Sequence, residues 1–309
     1  MEQKTVFIGA TGYDHYCTEG RKKLLDAGCC LIENQLGRPY TAEELKAIGG
    51  EINAVICGCE VWNEETIAAA PNLKVIVKFG VGVDNIDVKY AEENGIAVRN
   101  TPGASSQSVA ELAMGHMFAC ARYLSIAGHT MREGKWEKKA YGKGIELQGK
   151  TLGIVGFGRI GQHLGVMAKA IGMKVIAFDI YQIPVISEQL DIPYVEMDEL
   201  LAKSDFISVH APAVDGGALI NAERIAKMKD GVVIINTSRG TNVDEAALLA
   251  ALESGKVRAA GLDVYADEPA TNKALYSHPM VSCTPHIGAA TLEAQKRIGA
   301  EIVDIIKNF

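Results

Sequence analysis

The feature that most constrains this chain is the stretch TLGIVGFGRIGQHLGVMAKAIGMKVIAFD, residues 151–179. A short apolar run breaks at a glycine-rich turn, passes into a segment with helical spacing, and returns as a second apolar run. This order predicts a strand, a helix and a second strand parallel to the first. In the turn, Gly156 allows a sharp bend, Gly158 lets the backbone approach a pyrophosphate, and Gly161 lets the helix pack against its strand. The stretch therefore predicts a dinucleotide-binding unit.

The last residue of this stretch, Asp179, predicts which dinucleotide binds. The helix after the glycine turn presents unpaired N–H groups to an anion. Asp179 closes the second strand where a ribose diol would lie, and a carboxylate accepts from both hydroxyls while repelling a 2′-phosphate. NAD is therefore favoured over NADP. A tight turn without a ligand is the alternative for a bare glycine motif, but here both strands, the helix and the terminal acid agree.

Composition narrows the class of protein and partner. With 309 residues the chain is long enough for about two domains. Its hydrophobic fraction of 48% and charged fraction of 22% are typical of soluble globular proteins. A net charge of −7 without a basic tract argues against nucleic-acid or acidic-membrane binding. The first residues, MEQKTVFIGA, predict neither a signal peptide nor a membrane span, so we expect a cytoplasmic protein.

The seven cysteines predict neither disulfides nor a metal site. Their number is odd and several lie in apolar, strand-like runs, so we expect buried thiols. Cys57 and Cys59 are separated by a single glycine, which is the wrong spacing for a redox CxxC motif or a zinc site. No metal is therefore predicted.

Short β-rich runs alternate with helical segments on both sides of the dinucleotide unit, which predicts parallel sheets covered by helices. Besides the two strands of that unit, the predicted strands are Thr5–Ile8, Cys29–Glu33, Ala54–Gly58, Lys74–Phe79, Ile96–Asn100, Phe206–His210, Val232–Thr237, Ala259–Val264 and Val281–Pro285. The predicted fold class is α/β, with two doubly wound parallel-sheet domains.

Helical patterns and a polar segment complete the predicted organisation. Ser105–Tyr123 begins with serines and has a nearly continuous apolar surface, which predicts a buried helix. Residues 124–149 are polar, contain glycine and are weakly periodic, which favours an arm or linker. Asp244–Ser254 and the amphipathic Ala289–Asn308 predict further helices.

The dinucleotide unit begins far from the N-terminus, which indicates that one domain is inserted into another. Residues 1–101 and 289–309 are predicted to form a flavodoxin-like substrate domain. Residues 102–288 are predicted to form a Rossmann nucleotide-binding domain. We expect the reaction to take place in a cleft between them.

Ionisable residues follow three predicted strands in the second half of the chain, namely Arg239, Glu268 and His286. Singly, each has an ordinary interpretation: a surface arginine, a solvated acid and a loop histidine. Because the carboxyl ends of parallel strands face the ligand crevice, the three side chains can converge there. Together they suit reversible oxidation of a 2-hydroxy acid: Arg239 holds the carboxylate and polarises the carbonyl, His286 exchanges the hydroxyl proton, and Glu268 orients the imidazole.

A second glycine-rich loop, GVGVDNID, follows the predicted strand Lys74–Phe79. Its N–H groups could hold a carboxylate, or the loop could be an ordinary connection from a strand to a helix. The spacing alone favours neither interpretation.

Over nearly its whole length, the chain resembles the D-isomer-specific 2-hydroxyacid dehydrogenases, with six sequence blocks in the order that the family has. The matching blocks are KFGVGVDNID, NTPGASSQSVAELAMG, GKTLGIVGFGRIGQ, NTSRGTNVDEAALLAAL, AAGLDVYADEP and TPHIGAATLEAQ. The resemblance implies that Arg239, Glu268 and His286 are a catalytic triad and that the backbone of Val81 and Gly82 binds the substrate carboxylate. It also implies a homodimer built through the nucleotide domain and the 124–149 arm. The implied NAD contacts are Gly156, Gly158, Arg159, Ile160, Gly161, Asp179, His210, Ala211, Pro212, Thr237, Ser238, Asp263 and Gly288.

Within this family, the similarity favours 3-phosphoglycerate as substrate, with glycerate and hydroxypyruvate or another small 2-keto acid as the alternative. The turn 56–60, ICGCE, has no basic residue where the phosphoglycerate enzymes typically carry arginine. Lys78, where an arginine commonly precedes the substrate loop, and Lys138 could bind phosphate as point charges, though less selectively than arginine forks. No regulatory domain follows Phe309, so serine feedback through such a domain is not expected.

An NADH-sensing binding protein, like the transcriptional corepressors that resemble these enzymes, is the alternative from another class. Such proteins usually carry extra tails and peptide-docking surfaces. This compact sequence has no such tail and retains Arg239, Glu268 and His286, which favours the enzyme.

Overall fold

The computed structural model describes residues 3–214 and 216–309. Its strands are β1 (Thr5–Ile8), β2 (Cys30–Glu33), β3 (Ala54–Cys57), β4 (Val75–Lys78), β5 (Ala97–Arg99), β6 (Thr151–Val155), β7 (Lys174–Phe178), β8 (Phe206–Val209), β9 (Val232–Asn236), β10 (Val257–Leu262) and β11 (Val281–Cys283). Its helices are α1 (Tyr13–Tyr16), α2 (Thr18–Asp26), α3 (Ala42–Gly49), α4 (Glu64–Ala68), α5 (Val88–Glu93), α6 (Ser106–Arg122), α7 (Leu124–Arg132), α8 (Arg159–Ala170), α9 (Pro184–Leu190), α10 (Met197–Lys203), α11 (Ala222–Lys227), α12 (Glu245–Glu253), α13 (Lys273–Tyr276) and α14 (Leu292–Lys307). A short 3₁₀ turn spans Gly240–Asn242.

The chain divides into two compact units. The first comprises the residues up to Ser105 together with Ala289–Phe309, and the second comprises Ser106–Gly288. The sequence-based boundaries lay at 101/102 and 288/289.

Each unit contains one parallel sheet. In the first unit the strand order is β2-β1-β3-β4-β5, which is the flavodoxin-like order. In the second unit it is β11-β10-β9-β8-β6-β7. The predicted α/β fold with two doubly wound parallel sheets is therefore confirmed.

Residues 193–195 add a rudimentary strand beside β7, which the sequence did not predict. The N–H of Ala177 donates to Pro193 O at 3.0 Å, and the N–H of Val195 donates to Ala177 O at 2.8 Å. With this segment included, the order on one side of β6 is β6, β7 and then residues 193–195, and β8 lies on the other side of β6. This is the strand order of dinucleotide-binding sheets. The segment was missed because two hydrogen bonds make too short a run to leave a periodic pattern.

The burial of the strands in both sheets explains why their sequences are apolar runs. Strands β3, β8 and β9 are buried along their whole length, because helices cover both faces of a parallel sheet. The predicted amphipathic helix is α14, which returns to the core of the first unit through Ile298 and Ile302. Helix α6 supplies the second unit's core through residues such as Ala113 and Met117.

Two sequence-based predictions need correction. Residues 124–149 begin with a regular helix, α7, which starts after Tyr123 in the left-handed region (φ 58°). Three of the cysteines expected to be buried, Cys30, Cys59 and Cys283, are exposed. Cys30 and Cys283 lie on edge strands and Cys59 lies in a turn, where one side of the backbone faces solvent.

Across residues 3–214 and 216–309, no helix is long and apolar enough to cross a bilayer.

Candidate active site

The predicted cofactor and catalytic residues lie in the loops that begin at the carboxyl edge of the second unit's sheet. The connections after β6 and β8, which are neighbouring strands, lead away in opposite directions. In open parallel sheets, ligands bind outside the strand ends at such a switch point. The fold therefore places these residues where a ligand site is expected.

The glycines of the dinucleotide motif meet the steric conditions that the sequence predicted. Gly156 has φ 93°, and a Cβ there would lie 2.7 Å from Ala211 N. A Cβ at Gly161 would lie 2.5 Å from Gly156 O, so helix α8 packs closely on its strand. At Gly158 a Cβ would meet nothing within 4 Å, so the backbone before α8 faces open space. The first N–H groups of α8 can therefore approach an anion, as the pyrophosphate of NAD requires.

Asp179 is held in one orientation by two backbone groups. Its Oδ2 accepts from the N–H of Phe157 at 2.7 Å, and its Oδ1 accepts from the N–H of Tyr181 at 2.9 Å. Each carboxylate oxygen keeps further acceptor capacity. The side chain is therefore fixed in place and still able to accept from the hydroxyls of a ribose.

Asn242, which sequence reasoning missed, joins the loops after β8 and β9. Its Nδ2 donates to Ala211 O at 2.9 Å, to Pro212 O at 3.2 Å and to Ser238 Oγ at 3.1 Å. Ser238 Oγ in turn donates to Asn236 Oδ1 at 2.8 Å. These bonds order the two loops that carry several of the predicted cofactor contacts.

Three buried polar atoms in these loops have no hydrogen-bond partner among the described residues. They are Nδ1 of His210, Oγ1 of Thr237 and Oδ1 of Asn242. Burial lowers the pKa of His210 to about 3, so its imidazole is neutral, and its Nε2 pairs with Ser208 Oγ at 2.8 Å. Unpaired buried polar atoms are rare in folded proteins, and at a strand edge they mark positions for a ligand or water.

His286 and Glu268 form the closest pair of ionisable side chains at this edge. His286 Nδ1 lies 2.7 Å from Glu268 Oε2, and Glu268 Oε1 accepts from the N–H of Tyr265 at 3.2 Å. Because a carboxylate only accepts, Nδ1 carries the proton and Nε2 is directed to other partners. The bond to Glu268 raises the pKa of His286 above its usual value. Burial is the largest single influence on Glu268 and raises its pKa, but the bond and charge of His286, the N–H of Tyr265 and the charge of Arg239 together lower the net pKa.

A buried carboxylate, Asp263, builds the turn that carries His286. Its two oxygens accept from the N–H groups of Ile287 and Gly288, each at 2.8 Å, and from Thr284 Oγ1 at 2.6 Å. The backbone oxygen of Asp263 accepts from the N–H of His286 at 2.8 Å. His286 has φ 52°, in the left-handed region that residues other than glycine seldom adopt. The bonds to Asp263 hold the residue in this conformation.

Arg239 completes the group predicted from the sequence. It is half-buried after β9, and its Nη1 donates to Ser238 O at 2.7 Å. Its positive charge opposes the rise in the pKa of His286 that Glu268 causes, and adds to the lowering of the pKa of Glu268 by His286. The structure therefore brings Arg239, Glu268 and His286 into one electrostatic neighbourhood, which can hold an anion and exchange a proton.

The glycine after Arg239 is required by close packing. A Cβ at Gly240 would lie 1.8 Å from Tyr265 O, so the loop after β9 touches the loop after β10. Thr284 and Gly240 were not singled out from the sequence. The only signal for them was their place beside Arg239 and His286 in the blocks RG and TPH.

In the first unit, the loop after β4 offers backbone donors. Gly80 has φ 136°, which favours glycine, and its N–H donates to Lys78 O at 2.9 Å. Among the described residues, the next two N–H groups, those of Val81 and Gly82, meet no acceptor. Asn100 Nδ2 donates to Val81 O and fixes the loop. This geometry is compatible with the carboxylate interpretation of the loop.

Lys78, predicted as a substrate contact, is bound within its own unit. Its Nζ donates to Gly58 O and, at 2.7 Å, to Asn85 Oδ1. The same turn contains Glu60, which is 1% exposed and whose pKa is raised by burial. Lys138 lies in the exposed part of the 124–149 segment.

Comparisons with known proteins identify the family that this chain matches. The family model for the NAD binding domain of D-isomer specific 2-hydroxyacid dehydrogenases matches residues 114–288. The hydroxypyruvate reductase of Thermotoga maritima is 52% identical over 270 residues, which cover 85% of this chain and 87% of that protein. The D-3-phosphoglycerate dehydrogenase of Methanocaldococcus jannaschii is 44% identical over 279 residues, covering 89% of this chain but 53% of that protein. This chain therefore spans about half the length of that relative.

Among solved structures, the D-lactate dehydrogenase of Aquifex aeolicus, complexed with NAD and lactic acid, superimposes with a TM-score of 0.86. It is 30% identical, and the match covers 99% of this chain and 95% of that one. A glyoxylate reductase from Paecilomyes thermophila gives a TM-score of 0.88 at 32% identity, covering 100% of this chain and 95% of the other. Both similarities extend through both units.

Proposed function

Since this chain belongs to the D-isomer-specific 2-hydroxyacid dehydrogenases, we propose that Arg239, Glu268 and His286 are its catalytic residues. The protein is an NAD-dependent oxidoreductase that interconverts a D-2-hydroxy acid and a 2-keto acid. NAD, when bound, supplies the nicotinamide that carries the hydride.

The 2.7 Å bond between His286 and Glu268 is the observation that carries these roles. It fixes the tautomer so that Nε2 exchanges a proton with the substrate oxygen, and it stabilises the imidazolium. The guanidinium of Arg239 holds the carboxylate and polarises the carbonyl with donors in a fixed plane. In the first unit, the N–H groups of Val81 and Gly82 bind the substrate carboxylate.

The cofactor contacts are proposed on equally local grounds. The N–H groups of Arg159 and Ile160 at the start of α8 bind the pyrophosphate, and Asp179 accepts from the ribose of the adenosine. The loops after β8 and β9 contribute Ala211 and Thr237, the second through its unpaired buried hydroxyl.

For the substrate, we propose hydroxypyruvate and its reduced form D-glycerate. The sequence favoured 3-phosphoglycerate through its similarity to the phosphoglycerate enzymes, with Lys78 and Lys138 as possible phosphate contacts. Lys78, however, already donates to Gly58 and Asn85, and the turn 56–60 has no basic side chain. A phosphate group adds about 1.5 to 2 negative charges, which need cationic partners at the site. Hydroxypyruvate carries a single carboxylate and needs none beyond Arg239. The hydroxypyruvate reductase relative is also the more similar of the two relatives compared above.

3-Phosphoglycerate remains the second candidate, because several D-3-phosphoglycerate dehydrogenases share about 44% identity with this chain. The deciding experiment measures kcat/KM with NADH for hydroxypyruvate, phosphohydroxypyruvate and glyoxylate. We expect hydroxypyruvate to exceed phosphohydroxypyruvate by about tenfold or more, since tenfold corresponds to about 1.4 kcal/mol, the value of one hydrogen bond to a charged group.

A reversed preference would overturn the substrate and leave the reaction intact. Turnover of none of these acids, together with normal NADH binding measured by nicotinamide fluorescence, would overturn the catalytic proposal itself.

A further inference from the structure

A line of hydrogen bonds runs through the core of the second unit to the turn that carries His286. Ser125 Oγ lies 2.9 Å from Ser282 Oγ, and Ser282 Oγ lies 3.0 Å from His116 Nδ1. His116 Nε2 lies 3.0 Å from Thr284 Oγ1, which donates to Asp263 Oδ1 at 2.6 Å. His116 and Ser282 are buried, so the middle of this line is shielded from water, whereas Ser125 at its outer end is exposed. None of the proposed catalytic roles requires it.

The donors along this line can be assigned from its end. Asp263 accepts on both oxygens, so the single hydroxyl proton of Thr284 points to it and Thr284 Oγ1 can only accept from His116. Nε2 of His116 therefore carries a proton. Burial lowers the pKa of His116, which favours the neutral ring, so Nδ1 accepts from Ser282. Ser125 then donates to Ser282, and every bond points towards Asp263.

The backbone of β10 is shaped to admit this histidine. A Cβ at Gly261 would lie 2.6 Å from the Cβ of His116 and 3.0 Å from its Cγ. Any other residue at Gly261 would displace the ring from between Ser282 and Thr284. A glycine in the middle of a buried strand weakens the strand, so its presence marks a close approach of this kind.

We propose that His116, as its neutral Nε2–H tautomer, is a positioning residue that holds the His286 turn through Thr284 and Asp263. The inference rests on the proposed acid–base role of His286. The donor from His116 fills the acceptor site of Thr284, so the threonine hydroxyl stays aligned on Asp263. Asp263 in turn binds the N–H groups of His286, Ile287 and Gly288 with its backbone and carboxylate oxygens.

Two substitutions of His116 separate this role from mere packing. The amide of His116→Asn reaches only as far as Nδ1, so it keeps a partner for Ser282 and leaves Thr284 without its donor. The amide of His116→Gln reaches as far as Nε2 and can donate to Thr284. We expect H116N to lower kcat about tenfold with little change in KM for the keto acid or for NADH. We expect kcat of H116Q to stay within about threefold of the value for the unmodified protein. Met117→Leu, a neighbouring buried change on α6 that conserves volume, controls for helix packing.

The pH profile provides a readout that loss of packing would not change. With the turn loosened, the bond between His286 and Glu268 weakens and the pKa seen in kcat/KM falls in H116N but not in H116Q. Thr284→Val, which removes the hydroxyl and keeps the shape, should reproduce the lower kcat and the lower pKa of H116N. The double variant H116N/T284V should have a kcat no lower than that of T284V alone.

Equal losses of thermal stability in H116N and H116Q, with unchanged kcat and pH profile, would overturn the inference. Should H116N fail to fold, normal kcat and pH profile in T284V would overturn it equally. A long-range ¹H–¹⁵N spectrum tests the tautomer directly, and a protonated Nδ1 on His116 contradicts the assignment. Full activity of a His286→Ala variant would instead overturn the proposed function, so the two failures are distinguishable.

Discussion

The two units present the same kind of edge, the carboxyl ends of a parallel sheet, but equip it differently. In the second unit the proposed functional groups are side chains held by specific partners, as His286 is by Glu268 and Asp179 by the N–H of Phe157. In the first unit they are backbone N–H groups in a glycine loop, and the nearby cation Lys78 is bound to Gly58 and Asn85. From this difference we infer that the second unit supplies the chemistry together with part of the binding, whereas the first unit supplies binding alone. Substitutions of the second unit's proposed catalytic side chains should therefore lower kcat, with or without a change in KM, whereas substitutions that disturb the first unit's glycine loop should raise KM.

The largest effect is expected for His286→Ala. This substitution removes the proposed acid–base group, so kcat should fall by about 10²–10⁴-fold with a smaller change in KM. The matched control is His163→Ala, at an exposed position on α8. Steady-state kinetics of both variants test the assignment. Near-normal turnover of H286A would contradict the proposal that His286, in the second unit, is the acid–base residue.

Arg239→Lys should come next. A lysine keeps the charge but cannot offer two parallel donors in one plane, so both KM for the keto acid and kcat should suffer. Loss of one charge-assisted bond corresponds to about 10- to 100-fold in kcat/KM. Arg224→Lys, at a guanidinium that donates to Leu219 O on the flank of α11, is the control. If R239K changes KM alone, Arg239 binds substrate without polarising its carbonyl.

Glu268→Gln tests the electrostatic part of the pair. Keto-acid reduction needs protonated His286, so its kcat/KM is constant below the pKa of His286 and falls as the pH rises through it. The carboxylate raises that pKa, and a neutral amide should lower it, so the decline should begin at lower pH. In the oxidation direction, which needs neutral imidazole, the rise with pH should also begin at lower pH. Identical pH profiles for E268Q and the unmodified enzyme would contradict the pairing.

The sequence predicted the strands of both sheets within two residues because buried parallel strands are apolar on both faces. It also identified the glycine turn, since the positive φ of Gly156 and the contact of a Cβ at Gly161 with Gly156 O arise within the turn itself and require glycine. Helix α7 was missed because Gly128 and several polar residues weaken its pattern, and its start depends on a left-handed Tyr123 that no local rule predicts.

The residues that hold the proposed catalytic side chains in place were harder to predict from the sequence than the catalytic side chains themselves. His286 and Glu268 are chemically conspicuous, whereas His116, Thr284 and Gly261 act through contacts between residues far apart in the chain. Likewise, Lys78 appeared to be a free cation in the sequence, because its acceptors are a carbonyl twenty positions earlier and an asparagine in the next loop. Side-chain identity can be read from sequence, but the partners that determine its availability depend on the fold.

The smallest effect is expected for Lys78→Met, and it tests the first half of the comparison. If the ammonium serves to join Gly58 O and Asn85 Oδ1, its loss should lower stability by about 1–3 kcal/mol, the value of hydrogen bonds to a charged group, and leave kcat/KM for hydroxypyruvate within about threefold. Urea unfolding and steady-state kinetics measure the two quantities, with Lys74→Met, exposed before the opposite end of β4, as control. A hundredfold loss of activity in K78M at unchanged stability would instead make Lys78 a substrate ligand. In that case the first unit would bind with a charged side chain as well as its backbone, and the case for hydroxypyruvate over its phosphorylated analogue would lose its structural support.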